Sequence, residues 1–305
     1  MSWKEECGVV GVWNHEHAAR LSYLGLYAMQ HRGQESAGIV SLYQQQHLHH
    51  KGLGLVDTVF DEEALSRLQG DVAIGHVRYS TTGMNLLTNA QPLTANLLSG
   101  PVALAHNGNI VNSDQLREEL KVKGAIFQGT NDTEILLHLL ARISSSDLIH
   151  CLQKTLPQLV GAFSFILLTH DRMVGLRDPH GFRPLVLGKK LNAKGEWSWM
   201  LASETCAFDL IGAQYVREIE PGELFWIDDQ GCHSIQWAQS EKKSKCIFEF
   251  VYFSRPDSVV FGQSAYEVRK AFGRMLAKES PVDADVVIPV PDGGVPAAIG
   301  YSAAS

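Results

Sequence analysis

EECGVVGVW, residues 5–13, sets a cysteine directly before a Gly-Val-Val-Gly-Val run. The run is apolar at every position, so it reads as a strand buried on both faces in the middle of a sheet. Cys7 then stands at the mouth of that strand, behind only six residues. If Met1 to Glu6 are removed, Cys7 carries a thiol and a free α-amine, with ordinary pKa values of about 8.5 and about 8. An amine that titrates near neutrality can take the thiol proton and return it to a departing ammonia. One residue then supplies nucleophile and base, and no Cys-His pair is needed. The plainer reading is a small buried hydrophobe at a strand edge, the usual fate of a free cysteine. The stretch by itself leaves both open.

Working outward, short apolar runs at 37–42, 72–79, 102–106 and 162–169 read as further strands, each bounded by Gly, Asn, Asp or Ser. Asn14 is placed to cap a helix in which Leu21, Leu24 and Ala28 share a face, with Gly33 where the pattern ends. Asn112 with Gln115 resembles a capping box before Leu116 and Leu120, and Gly124 suits that helix's end. Residues 135–143 form a second strongly apolar helix. Strands interrupted by pairs of helices, rather than strict alternation, point to an α+β fold with two stacked sheets and helices on both outer faces. QQQHLHH, residues 44–50, reads as a solvated hairpin; His47 and His49 share a face but have no carboxylate or cysteine nearby to complete a metal site.

The chain's 305 residues allow one large or two modest domains, and 45% apolar against 19% charged residues supply a packed core. A net charge of -7, with no basic cluster beyond the Lys242–Lys245 stretch, argues against nucleic acid as a partner. No apolar run approaches the ~20 residues that span a bilayer, and Met1 to Glu6 lacks the apolar core of a signal peptide. A cytoplasmic location without membrane association is the expectation. Five cysteines with no CxxC pair do not make a disulfide framework.

A polar stretch after the strand-rich portion, residues 239–246, reads as a linker. Beyond it, residues 264–278 are amphipathic through Val268, Phe272, Met275 and Leu276, followed by an expected strand at 284–290, a turn at 291–294 and a helix from Val295. Helix, strand, turn and helix in that order read as the opening of an α/β unit.

QHRGQESAGIV (30–40), GHVRYSTTG (75–83), AHNGNI (105–110) and TNDTE (130–134) follow Cys7 in order. DPHGFRPL (178–185), ASETCAFD (202–209), EIEPGE (218–223) and YFSRPDS (252–258) continue the series. These blocks resemble the amidophosphoribosyltransferase family, from Glu5 onward. That family places glutamine's amide nitrogen on phosphoribosyl pyrophosphate in purine synthesis. The resemblance implies a four-layer αββα sandwich of the N-terminal nucleophile hydrolase type. It divides the chain into a propeptide at 1–6, a class II glutamine amidotransferase domain at 7–238, the linker, and the start of a phosphoribosyltransferase domain at 247–305.

It also assigns roles. Cys7 is the nucleophile; the Asn107 side chain and the Gly108 backbone N–H form the hole for the oxyanion that develops as the thioester forms. One such donor is typically worth about 3 to 4 kcal/mol. Arg78 matches the residue that grips the substrate's α-carboxylate, where a planar guanidinium offers two parallel hydrogen bonds. Asp132 matches the acceptor of the α-ammonium group, with helix capping as a second use of its carboxylate. Thr81 lies in the segment resembling the loop that closes over glutamine, and Arg32 supports Cys7 and its loop. His31, His76 and His106 have structural hydrogen-bonding roles.

In a subgroup with a 4Fe-4S cluster, a cysteine precedes the FSRPDS motif as Cys246 does here, the other ligands coming from further along the chain. The fragment is expected to hold no cluster, since one thiolate cannot. The phosphoribosyl pyrophosphate motif, two adjacent acidic residues before a Ser/Thr/Gly-rich loop, does not occur in the 305 residues; Asp292, Gly293 and Gly294 resemble only an earlier pyrophosphate-contacting loop. The chain is thus expected to be a truncated glutaminase. Its full-length parent would be a homo-oligomer that uses magnesium. Rivals are a glutaminase serving another acceptor, as in glucosamine 6-phosphate synthase or asparagine synthetase, and an inactive interaction fragment.

Overall fold

The computed structural model describes residues 7–79, 86–239 and 242–305. In chain order its main elements are β1 (Gly8–Trp13), α1 (Ala18–Ala28), β2 (Ser36–Tyr43), β3 (Gln46–Leu53), α2 (Val56–Val59), α3 (Glu62–Arg67), β4 (Val72–Arg78), β5 (Leu93–Leu97), β6 (Gly100–Ile110), α4 (Ser113–Val122), α5 (Glu134–Leu140) and α6 (Leu148–Thr155). Then come β7 (Gly161–Leu168), β8 (Arg172–Arg177), β9 (Val186–Leu191), β10 (Trp197–Ala202), α7 (Cys206–Ile211), β11 (Gln214–Glu218), β12 (Glu223–Asp228), β13 (Gly231–Gln236), α8 (Ala265–Glu279) and α9 (Val295–Ser302).

The valine run is a central strand, as its composition requires. β1 is buried throughout and pairs antiparallel with β4 and β10, in a seven-stranded sheet ordered β11-β9-β10-β1-β4-β2-β3. Val10 and Val12 face a core shared with Leu21 and Leu26 of α1 and Phe208 of α7. Val9 and Trp13 face the other way, into a core with Ala105, Ile166 and Phe225 of the second sheet. Both faces of β1 are therefore dry, and each fully buried valine contributes about 1.5–3 kcal/mol over an exposed one.

The second sheet, six antiparallel strands ordered β13-β12-β8-β7-β6-β5, packs its far face under α4, α5 and α6 through Leu116, Ile135, Leu152, Phe163 and Phe165. The four strands read from the sequence at 37–42, 72–79, 102–106 and 162–169 are present as β2, β4, β6 and β7, and the histidine-rich stretch lies in the β2–β3 hairpin.

Two caps are not as expected. Asn14 takes a left-handed turn (φ 60°) and His17 precedes α1; the Asn14 amide instead donates to the Trp197 carbonyl at 3.3 Å. Asn112 does precede α4 but makes no side-chain cap. Its amide bridges to the Gln158 carbonyl (3.0 Å) and the Val160 N–H (3.0 Å), and Gln115 pairs with Glu119. In both cases a partner distant in sequence won the amide.

The last portion differs more. α8 forms, capped by Ser264, but its buried residues are Ala265, Arg269, Gly273 and Ala277; Phe272, Met275 and Leu276 are exposed. The buried face is the small one because α9 crosses there at backbone contact: a Cβ at Gly273 would fall 1.9 Å from the Ala297 carbonyl oxygen. The strand expected at 284–290 is not formed. Val286, Ile288 and Val290 are exposed, and among the described residues no neighbouring strand offers them a ladder.

Candidate active site

Cys7 enters the seven-stranded sheet beside the end of β4, since Gly8 pairs with Val77. Its thiol is buried, and Sγ lies 3.6 Å from the Tyr79 carbonyl oxygen. Burial pushes the thiol up to about 11, opposed by the Tyr79 contact and the Arg78 charge and reinforced by the Asp132 charge. The nucleophile candidate thus sits within the fields of both a cation and an anion, and at neutral pH it keeps its proton.

Each of the three motif histidines has one ring nitrogen held by a group other than the Cys7 thiol. His31 Nε2 is 2.8 Å from Glu204, His76 Nε2 is 2.9 Å from the His106 carbonyl, and His106 Nδ1 is 3.0 Å from the Thr133 hydroxyl. Burial lowers His76 to about 3, so it stays neutral. Gln91 completes this buried cluster by donating to Thr133 and accepting from the His106 N–H.

Asn107 and Gly108 lie in β6 opposite Ser164 and Phe163 of β7. Gly108 has φ +143°, and a Cβ there would stand 2.0 Å from the Ala162 carbonyl oxygen, so no other residue fits. Asn107 is fully buried; its amide lies 3.4 Å from Ser203 Oγ on one side, and on the other an amide atom has no hydrogen-bond partner among the described residues.

Arg78 closes β4, buried, with Nη1 4.0 Å from Glu35. Asp132 does not cap α5; the Asn131 side chain accepts from the Glu134 N–H instead. The Asp132 carboxylate accepts the Ile110 N–H at 2.7 Å and lies 3.7 Å from His106. Burial works against its charge, but His106 and the N–H outweigh it, so Asp132 stays below the usual carboxylate range and ionised at neutral pH. Thr81, and the segment around it, lies outside the described residues.

The resemblance implies that Arg32 supports Cys7 and leaves open how it acts. Its guanidinium is fully buried; Nε donates to the Cys7 carbonyl at 2.9 Å, while Nη1 and Nη2 reach Glu204 (2.5 Å) and Glu249 (3.0 and 2.9 Å). Glu204 also accepts from the Ser258 hydroxyl (2.7 Å) and the Arg255 N–H (3.0 Å). Glu249, in the helical turn Glu249–Phe253, accepts from the Ser254 hydroxyl (2.9 Å) and Arg183 (3.3 Å). Burial opposes ionisation of both carboxyls, and Arg32 overrides it and holds both low. A lone glutamate inside the apolar run CIFEFVYF was the available signal, because a buried carboxylate requires a partner.

Cys246 is half-buried, its N–H donating to the Phe182 carbonyl at 3.3 Å. Among the described residues no three His, Cys, Asp or Glu side chains stand close enough to hold a metal ion.

The chain is similar to known proteins in sequence and fold. Residues 76–209 match the family described as a glutamine amidotransferase domain. The chain is 50% identical over 301 residues to amidophosphoribosyltransferase 2, chloroplastic, of Arabidopsis thaliana, covering 98% of this chain and 53% of that protein. With the amidophosphoribosyltransferase of Bacillus subtilis (strain 168) the identity is 46% over 302 residues, covering 99% and 62%. The solved glutamine phosphoribosylpyrophosphate amidotransferase of B. subtilis, complexed with ADP and GMP, superimposes with a TM-score of 0.92 at 46% identity, over 98% of this chain and 64% of that one. The chain spans about half to two-thirds of the length of these relatives.

Proposed function

From homology to amidophosphoribosyltransferases over nearly its whole length, we propose that this chain is the glutamine-hydrolysing part of such an enzyme. Residues 7–238 form the amidotransferase domain, an αββα sandwich of the N-terminal nucleophile hydrolase type; 239–246 form the linker and 247–305 the opening of the phosphoribosyltransferase domain. The observation that carries the reading is the burial of Cys7 within the fields of Arg78 and Asp132. A free α-amino acid presents the opposite pair, a carboxylate and an ammonium.

The chemistry begins once Met1–Glu6 are removed and the Cys7 nitrogen is an amine. The thiol proton passes to that amine as sulfur attacks the side-chain amide carbon of glutamine. Negative charge collects on the amide oxygen, where the Asn107 amide and the Gly108 N–H donate to it. The C–N bond then breaks, the ammonium proton leaves with the nitrogen as ammonia, and a thioester remains. Water attacks the thioester, giving glutamate and restoring the thiol. Arg78 holds the α-carboxylate, Asp132 the α-ammonium group, and Thr81 belongs to the closing loop.

In the full-length parent, ammonia would meet phosphoribosyl pyrophosphate with magnesium to form phosphoribosylamine. The parent would be a cytoplasmic homo-oligomer, Cys246 joining further ligands where a cluster exists. Among the described residues no helix is long and apolar enough to cross a membrane.

The test is an assay of the processed 305-residue chain. It should release glutamate and ammonia from glutamine slowly, unstimulated by phosphoribosyl pyrophosphate with magnesium and without releasing pyrophosphate. Ammonia-dependent pyrophosphate release would overturn the division between the two halves. A narrower measurement addresses recognition. Arg78→Lys should raise KM for glutamine by about 10- to 100-fold, since a point charge cannot replace a bidentate grip. Asp132→Asn should raise it similarly, and wild-type kinetics in both variants would remove these two residues from the substrate site.

A further inference from the structure

Ser203 immediately follows β10 and is fully buried between β1 and Asn107. Its N–H donates to the Val9 carbonyl at 3.0 Å, and its Oγ accepts the Val9 N–H at 3.0 Å, so it is locked to the strand that carries Cys7. On its other side Oγ faces the Asn107 amide at 3.4 Å. A hydroxyl has one proton to give, and the Val9 N–H already occupies one of its lone pairs.

If the Asn107 NH2 faces Ser203, Oγ receives two N–H groups, its own proton has no acceptor among the described residues, and the Asn107 carbonyl is the orphaned amide atom. A half-turn of the amide gives that proton an acceptor: Oγ–H donates to Oδ1, and Nδ2 takes the orphaned position as an unengaged donor. A buried polar group left unpaired costs about 1–3 kcal/mol, and in the turned arrangement the unpaired group is a donor that a developing oxyanion would satisfy.

We propose that Ser203 is a positioning residue that turns the Asn107 amide so that its NH2, not its carbonyl, meets the developing oxyanion. The proposal rests on Asn107 being an oxyanion donor, as argued above. A carbonyl in that place would repel the negative charge, so the hydroxyl proton of Ser203 decides the sign of the interaction. Ser203 touches no reacting atom in this scheme. It acts through Asn107 alone, which separates it from a residue that merely supports β1.

The experiment is a double-mutant cycle on the processed chain, with glutamine hydrolysis and product glutamate binding as readouts. Ser203→Ala, and the near-isosteric Ser203→Cys whose thiol is a weak donor, should each lower kcat about 10- to 100-fold with KM and glutamate affinity within about twofold of wild type. Ser203→Thr should recover most of the rate because it keeps the hydroxyl. In an Asn107→Ala background, Ser203→Ala should cost nothing further, since the amide it orients is gone. An undiminished loss in that background, or an equal loss of glutamate binding, would overturn the proposal by showing that Ser203 acts through β1. Full activity of both Ser203→Ala and Ser203→Cys would overturn it also. If Asn107→Ala itself keeps wild-type turnover, the oxyanion assignment is what fails.

Discussion

Cys7→Ser protein should hydrolyse glutamine at least about 1,000-fold more slowly than the processed wild type while keeping its fold, and wild-type chains that retain Met1–Glu6 should be similarly slow. The two losses share one cause. A thiol held up to about 11 leaves only about one molecule in 10,000 ionised at pH 7, so attack depends on a base beside the sulfur. The neighbouring histidines are engaged elsewhere, and His76 is lowered to about 3. The α-amine is the remaining candidate, and in the uncut chain that nitrogen is an amide with no lone pair to offer. Intact-mass measurement paired with glutamate release settles the matter: active protein should lack six residues, and full turnover by chains that keep them would sink the amine as base.

The second large effect concerns stability. Arg32→Met should lower the unfolding free energy by about 3–5 kcal/mol, because it leaves Glu204 and Glu249 buried without their shared cation. Arg32→Lys should recover little, since one ammonium cannot hold both carboxylates and the Cys7 carbonyl together. The pH dependence carries the signature. In the wild type both carboxyls are held low when folded, so their contribution is present above the unfolded value of about 4.5 and declines as acid protonates them in the folded state. In Arg32→Met burial is opposed only by Arg183 and Ser254 at Glu249 and by His31, Ser258 and the Arg255 N–H at Glu204, so both carboxyls rise and the variant should lose less stability than the wild type as the pH falls through 4.5. Urea unfolding between about pH 8 and pH 3 reads both trends. A loss under about 1 kcal/mol, or parallel pH profiles, would refute the account.

Much of the first sheet was legible because its strands are largely apolar runs: GVVGVW admits no exposed face, and β4 beside it and β2 beyond β4 have a similar texture. β6 and β7 were legible likewise, whereas the mixed, half-exposed strands β11 and β13 carry no comparable pattern. Local signals failed where distant atoms competed for the same side chain, as Gln158 and Val160 do for Asn112. The stripe on α8 misled because apolar spacing marks a face able to be buried, not the one that is; Gly273 allowed a closer backbone approach than Phe272 or Met275 could. At the candidate site, motif order pointed to Cys7, Arg78, Asn107 and Asp132. Glu204, Glu249 and Ser203 escaped notice because their meaning lies in contacts across 54 to 217 positions of chain.

The Arg32 cluster draws a boundary different from the one drawn by the linker. The proposed linker leaves Arg32 and Glu204 on one side and Glu249, Ser254 and Ser258 on the other, yet these groups meet in a single buried knot. Cut the chain at the linker and Arg32 keeps one of its two carboxylates, while Glu204 loses a hydroxyl and a backbone N–H. The carbonyl of Cys7, just before β1, is therefore secured by charges that are completed only as Glu249 to Ser258 emerge from the ribosome. In the order of synthesis, the earliest residue of the site is among the last to be fixed.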